Sequence, residues 1–276
     1  MNEQVDFFIK FWGVRGSIAT PGRDTVRYGG NTTCLEIRCG GQLIVIDAGT
    51  GARGLGMELA AEKPDRANVF LTHTHFDHVC GIPFFKPAYL ADTAVHFWAG
   101  HLTDGRTLKE VICDMMIAPL FPVPIDVFST SHFHDFECAK LIELAPGVTL
   151  NTCRLNHPNG ACGYRVDRAG KSICVITDTE HRAGELDTTI ADFVHDTDIM
   201  VYDATYTDEE YPQHVNWGHS TWQEALKLAD AAGVKRVVLF HHDPHHDDAF
   251  MDRVAADAEA ARPGTLVAME GMVLHP

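Results

Sequence analysis

Short apolar runs in this chain repeatedly stop at an acid or a histidine. Residues 43–46 (LIVI) deliver Asp47, and residues 68–71 (NVFL) run into Thr72-His73-Thr74-His75-Phe76-Asp77-His78. Residues 172–177 deliver Asp178, residues 199–202 deliver Asp203, and residues 237–240 deliver His241. Such runs read as buried strands, and strands of one sheet end along a common edge. Residues far apart in sequence therefore converge on one place. The stretch 72–78 is the densest part of the pattern. Its alternating His73 and His75 can aim at one metal while Asp77 and His78 aim at a second, and imidazole with carboxylate suits Zn²⁺ or a similar ion.

The chain of 276 residues is long enough for one large domain or two small ones. We read one, spanning 1–276, because no linker or composition shift divides it. A net charge of −16 repels phosphate backbones and argues against a long nucleic acid as partner. The eight cysteines include no C-x-x-C pair, which favours a reduced, intracellular protein. No basic-then-apolar leader opens the chain, and no apolar run reaches the roughly 18–20 residues of a membrane span. The expected setting is the cytoplasm, away from membranes.

In order, the spacing predicts a strand over 6–12 and a Gly-rich loop to Gly30. A hairpin (33–38 and 42–47) follows, turning at Gly40-Gly41, then a helix over 52–61 and the strand at 68–71. A strand at 95–98 and a helix at 106–116 precede irregular text over 117–136, which contains His132-Phe133-His134. Strands follow at 148–154, 163–166, 172–177 and 199–202. A helix over 220–232 has Ser220 or Thr221 as its cap and Gly233 as its stop. A strand at 237–240, a helix over 247–261 and strand text over 265–273 complete the chain. Single helices between more numerous strands fit two packed sheets with helices outside. Each half runs strands, helix, strand, which hints at a duplicated unit.

Each ligand-type residue has a plainer reading when taken alone. Asp47 braces a glycine turn, Asp178 caps a helix, His157 sits in a loop before Pro158, and His219 opens a helix. Their joint recurrence at strand ends favours a shared site. His241 and His242 are adjacent; His241 is preferred because it directly follows the strand.

The set resembles the metallo-β-lactamase superfamily over nearly the whole chain, from Phe11 to His275. The H-x-H-x-D-H motif at 73–78, the lone His157, Asp178 after its strand and the late His241 match that family's ligand order. The resemblance implies an α/β, four-layer αββα sandwich. It implies that His73, His75 and His157 hold one divalent ion, and that Asp77, His78 and His241 hold a second. Asp178 would bridge them, with Asp47 orienting a ligand histidine from behind. The ions would be zinc, with manganese or iron as substitutes.

Position 75 is not glutamate, as in di-iron redox relatives, and position 178 is not the cysteine or serine of a lactamase. Asp203-Ala204-Thr205 and Gly218-His219-Ser220-Thr221 resemble the phosphodiesterase branch that includes ribonuclease Z, which matures transfer-RNA 3′ ends. Residues 12–17 (WGVRGS) and 29–32 (GGNT) resemble a cyclic-nucleotide-phosphodiesterase-like group. The ribonucleases carry a long arm between their third and fourth ligand motifs, whereas only about twenty residues separate His157 from Asp178 here. The resemblance thus implies a dinuclear hydrolase of a small phosphodiester such as a cyclic nucleotide, attacked by a hydroxide shared between the ions. Asp77, His219 and Asp203 would serve as catalytic residues. Thioester, lactone or other carboxyl-ester hydrolysis on the same metals is the competing reading, as is a low-turnover binding or sensing protein. Residues 100–147 read as an insertion that forms a lid or substrate wall, or else a plain covering loop or subunit contact. A homodimer is one assembly this branch admits.

Overall fold

The structure, a computed structural model, describes residues 7–276; Asp6, expected to begin the first strand, lies outside them. The first half contributes β1 (Phe7–Gly13), β2 (Cys34–Cys39), β3 (Gln42–Ile46), α1 (Ala52–Glu62), β4 (Arg66–Leu71) and α2 (Phe76–Val79). It continues with β5 (Ala94–Ala99), α3 (Leu108–Met115) and β6 (Ser131–Asp135). The second half contributes β7 (Leu141–Ala145), β8 (Val148–Leu155), β9 (Ala161–Arg168), β10 (Lys171–Ile176), α4 (Thr188–Phe193) and β11 (Ile199–Asp203). It closes with α5 (Trp222–Ala232), β12 (Arg236–Phe240), α6 (Asp248–Ala261), β13 (Leu266–Val267) and β14 (Val273–Leu274).

One sheet orders its strands β14-β1-β2-β3-β4-β5-β6, the other β13-β12-β11-β10-β9-β8-β7. Each sheet is antiparallel on one side and parallel on the other. β1 to β3 alternate direction while β3 to β6 run together. Likewise β7 to β10 alternate while β10 to β13 run together. The strand-to-ligand runs seen in the sequence are the parallel ones, so their carboxyl ends fall on one edge of each sheet.

Central strands are buried on both faces, which is why they read as unbroken apolar text. In β3, Ile44 and Ile46 face Ile173, Val175 and Val238 of the other sheet, all fully buried. Leu43 and Val45 face outward, under Leu55 and Leu59 of α1. On the far side Ala225 and Ala229 of α5 and Met251 and Ala258 of α6 cover the second sheet. The result is the expected four-layer αββα sandwich. Each fully buried Leu, Ile or Phe side chain adds about 1.5–3 kcal/mol.

Local signals set the helix ends. Thr107 and Glu110 form a reciprocal capping box that opens α3. Thr221, rather than Ser220, caps α5, and Gly233 ends it at φ +68°.

Three stretches differ from expectation. Residues 131–135 form β6 instead of irregular chain: pairing with β5 stacks His134 on Trp98 at 3.9 Å and His132 on His96 at 4.6 Å. Tertiary pairing here overrides a neighbourhood broken up by proline. Residues 141–145, unassigned from sequence, add the edge strand β7. The closing strand text over 265–273 splits into β13 and β14, which lie in different sheets. Between them Ala268 N–H donates to Leu239 O and Gly271 N–H to Phe11 O, so the chain crosses from one sheet to the other. Within residues 100–147, α3 and β6 pack with one sheet and β7 belongs to the other. Against the expectation of reduced cysteines, Cys138 and Cys162 are disulfide-bonded. Among the described residues no helix is long and apolar enough to cross a membrane.

Candidate metal centre

At the ends of the parallel strands the chain turns sharply. Asp47 after β3, Asp178 after β10 and His241 after β12 all take left-handed backbone, with φ of 60°, 60° and 65°. Non-glycine residues rarely go there, and holding one costs of order 1–3 kcal/mol. The kink turns each side chain towards a common centre instead of along the sheet.

Asp178 lies at that centre, almost wholly buried. Its Oδ2 is 3.7 Å from His73 Nε2 and 3.6 Å from His157 Nε2. Its Oδ1 is 3.3 Å from His78 Nε2 and 3.2 Å from His241 Nε2. The carboxylate thus addresses two groups of donors, one with each oxygen. In the first group His75 Nδ1 sits 3.0 Å from His157 Nε2. In the second, Asp77 Oδ2 is 3.4 Å from both His78 Nε2 and His241 Nε2.

The far side of each ring is held. His78 Nδ1 meets Asp47 Oδ2 at 2.8 Å, and His73 Nδ1 meets Thr72 Oγ1 at 3.1 Å. His157 Nδ1 donates to Gly218 O at 2.8 Å, and His241 Nδ1 meets Thr205 Oγ1 at 3.1 Å. His75 is reversed: its Nε2 meets Asn159 Oδ1 at 3.3 Å, which leaves Nδ1 inward. Inward-facing Nε2 atoms of His73, His78 and His241 are buried and have no hydrogen-bond partner. Buried polar atoms without partners are rare, and three on one centre form a donor set of the kind that suits a cation. The groups His73/His75/His157 and Asp77/His78/His241 each bring their ligand atoms close enough to hold one.

The electrostatics differ from ring to ring. Burial, with His78 beside it, pushes His73 well below the ordinary imidazole value, leaving a lone pair to share. Burial alone would lower His78 too, but Asp178, Asp77 and Asp47 hold it well above. Burial would raise Asp178, yet His241, His78 and His73 keep it well below the carboxylate range. His242, the neighbour of His241, points elsewhere. Its Nε2 donates to Ala268 O at 2.9 Å, and burial drives its pKa down to about 3.

His219 lies beside the cluster, its ring 4.9 Å from that of His241. Its Nδ1 donates to Asp203 Oδ2 at 2.9 Å. Burial opposes its protonation, but Asp203 lifts its pKa to about 9. Asp203 also accepts from Thr179 N–H, Thr205 N–H and the Thr205 hydroxyl.

Several contributors lie outside the pattern of ligands at strand ends. Ser17 N–H donates to Asp77 Oδ2 at 2.7 Å, and a Cβ on Gly16 would lie 2.3 Å from the His241 ring. The glycine-rich loop after β1 is therefore packed on the cluster. Glu180 accepts from Tyr211 Oη, Asn216 N–H and Gly218 N–H at 2.7–2.8 Å. It thereby fixes the loop whose Gly218 carbonyl holds His157. His101 reaches Thr74 Oγ1 at 3.0 Å and lines a cavity of about 230 Å³ beside His73 and His75. Arg106 of the 100–147 segment borders the same space. The phrases at 12–17 and 218–221 and the 100–147 segment marked parts of these surroundings beforehand, but not the contacts they make.

Residues 42–242 match the family described as Beta-lactamase superfamily domain. A ribonuclease Z of Bradyrhizobium sp. (strain ORS 278) is 24% identical over 315 residues, covering 96% of this chain and 98% of that protein. Among solved structures, the metallo-beta-lactamase fold protein YhfI from Bacillus subtilis superposes with a TM-score of 0.74 at 18% identity, covering 98% of this chain and all of that one. The short form of human tRNase Z gives a TM-score of 0.67 at 19% identity, with 97% and 98% covered.

Proposed function

The chain belongs to the beta-lactamase superfamily, and on that premise we propose that it is a dinuclear metal-dependent hydrolase of small phosphodiesters. The observation that carries this reading is the set of unpartnered, inward-facing Nε2 atoms of His73, His78 and His241 around Asp178. His73, His75 and His157 would hold one ion, Asp77, His78 and His241 the other, with Asp178 between them. Zinc best suits imidazole with carboxylate, and manganese or iron would also be accepted. When bound, such ions neutralise phosphoryl oxygens and lower the pKa of water.

The protein's own groups do the rest. Asp77, held well below the usual carboxylate range by His78 and His241 against the effect of burial, is ionised and can accept a hydrogen bond from an attacking water and orient it. Its orientation is fixed by the Ser17 amide. His219, protonated and held through Nδ1 by Asp203, keeps Nε2 for the leaving oxygen. An acid of this kind suits an alkoxide leaving group, which supports a phosphodiester over a thioester. The ribonuclease Z relatives support the same bond type.

Those relatives also favour a second reading, cleavage of a transfer-RNA precursor. Against it, the residues between His157 and Asp178 form only β9, a short turn and β10, and the net charge is −16. A small diester such as a cyclic nucleotide fits these features better. Hydrolysis of 3′,5′-cyclic AMP by metal-loaded protein, with Asp77→Ala as the blank, tests the proposal. Turnover of a transfer-RNA precursor but of no small diester would replace it with the second reading.

A further inference from the structure

A cavity of about 620 Å³ opens beside His157. That is within the range of roughly 300–1,000 Å³ common for small-molecule sites. None of the residues lining it, apart from His157, takes part in the chemistry proposed above. His157, whose Nε2 lies 3.6 Å from Asp178 Oδ2, is shared between the cavity wall and the cluster.

The walls have a distinct chemistry. The rings of His181 and Tyr211 lie 4.2 Å apart at 37°. Tyr211 Oη is engaged by Glu180 and His181 Nδ1 by Ser220 Oγ at 2.9 Å. The two rings add aromatic surface to the wall. Pro158 and Val215, the latter 48% exposed, add further apolar surface. Glu180 lines the cavity too, but its carboxylate is taken up by one hydroxyl and two amide N–H groups. Arg182, on the same rim, makes no ion pair or side-chain hydrogen bond among the described residues. Its guanidinium is exposed on the rim, and phosphate is a natural partner for such a group.

We infer that this cavity seats the nucleobase of a nucleotide substrate, with Arg182 attracting its phosphate. A flat ring between apolar and aromatic walls gains stacking, and Asn156 and Asn216 line the same space. This rests on the phosphodiesterase reading and narrows it to diesters that carry a base.

Calorimetric titration of zinc-loaded protein separates the two ideas. Adenosine 5′-monophosphate should bind about 10-fold or more tightly than ribose 5-phosphate, the gain expected of one stacked base. Ala183→Trp, which builds a large side chain into the cavity lining, should erase most of that difference. Arg182→Ala should weaken both ligands by a similar factor and leave their ratio in place. Equal affinity for the two ligands in the unmodified protein, or an undiminished preference in Ala183→Trp, would overturn the inference. A parallel assay with bis(p-nitrophenyl) phosphate reports on the reaction by itself. Turnover without a base preference sinks the cavity alone. A base preference without any phosphodiester turnover sinks the reaction and leaves a nucleotide-binding cavity.

Discussion

Two buried aspartates hold two histidines in this molecule, one pair from each sheet, and the pairs have different electrostatic fates. Asp47, at the end of β3, holds Thr72 through N–H and hydroxyl and His78 through Nδ1. Asp203, at the end of β11, holds Thr205 through the same two groups and His219 through Nδ1. Both acids are wholly buried. Yet burial raises the pKa of Asp47, while His219 pulls that of Asp203 down against burial. The cause is the number of claimants. His78 divides its charge among Asp178, Asp77 and Asp47, whereas His219 answers chiefly to Asp203. The first pair faces inward and suits a ligand. The second keeps an edge towards solvent, its side chain 11% exposed, and suits an acid.

Breaking the inward pair should have the largest effect. Asp47→Ala strips a buried histidine and threonine of their partner, and such losses cost about 3–5 kcal/mol. Urea unfolding should register that loss, and elemental analysis should find metal depleted. A stable, fully metallated Asp47→Ala protein would end the assignment of Asp47 as a support. Next comes His219→Ala, expected to lower kcat by about 10²–10⁴ while metal content stays at the unmodified level. Metal loss in that variant would erase the contrast between the pairs.

Glu180→Gln should act more gently, because it only loosens the loop whose carbonyl holds His157. Its metal affinity is expected to fall by about 10-fold, at the low end for a residue behind a ligand. Competition with a chelator would measure it, and unchanged affinity would detach Glu180 from the site. The smallest effect sharpens the comparison through pH. Because folding raises the pKa of His219 from 6.5 to about 9, its contribution to stability is complete below the lower value and fades as pH rises through the upper one. Metal-free protein should therefore lose stability on crossing that window, and Asp203→Asn should lose less. Parallel curves for the two proteins would deny the pairing its energetic role.

The inward half of the site was the more legible of the two. Four of its candidate ligands lie between His73 and His78, on a turn whose strand is plain from its apolar text. The other half comes from β10, β11, β12 and the loop before α5, so it was legible only as acids and a histidine at strand ends. Adjacent His241 and His242 look alike in sequence. Their separation depends on the left-handed turn at His241, which sends one ring to the cluster and the other to Ala268. Ser17 and Gly218 act through backbone groups and Thr205 through a hydroxyl, which residue type alone does not disclose. The strands β6 and β7 were missed because edge pairing, not local pattern, makes them.

The left-handed turns at Asp47, Asp178 and His241 bear on how this centre could be copied. Grafting its imidazoles and carboxylates onto the strand ends of another sandwich would reproduce the inventory but not the aim. Without those bends each side chain would follow its strand outward, and the donors would miss one another. A transplant therefore has to carry backbone as well as residues, and the smallest portable unit is a strand together with the kinked residue that ends it.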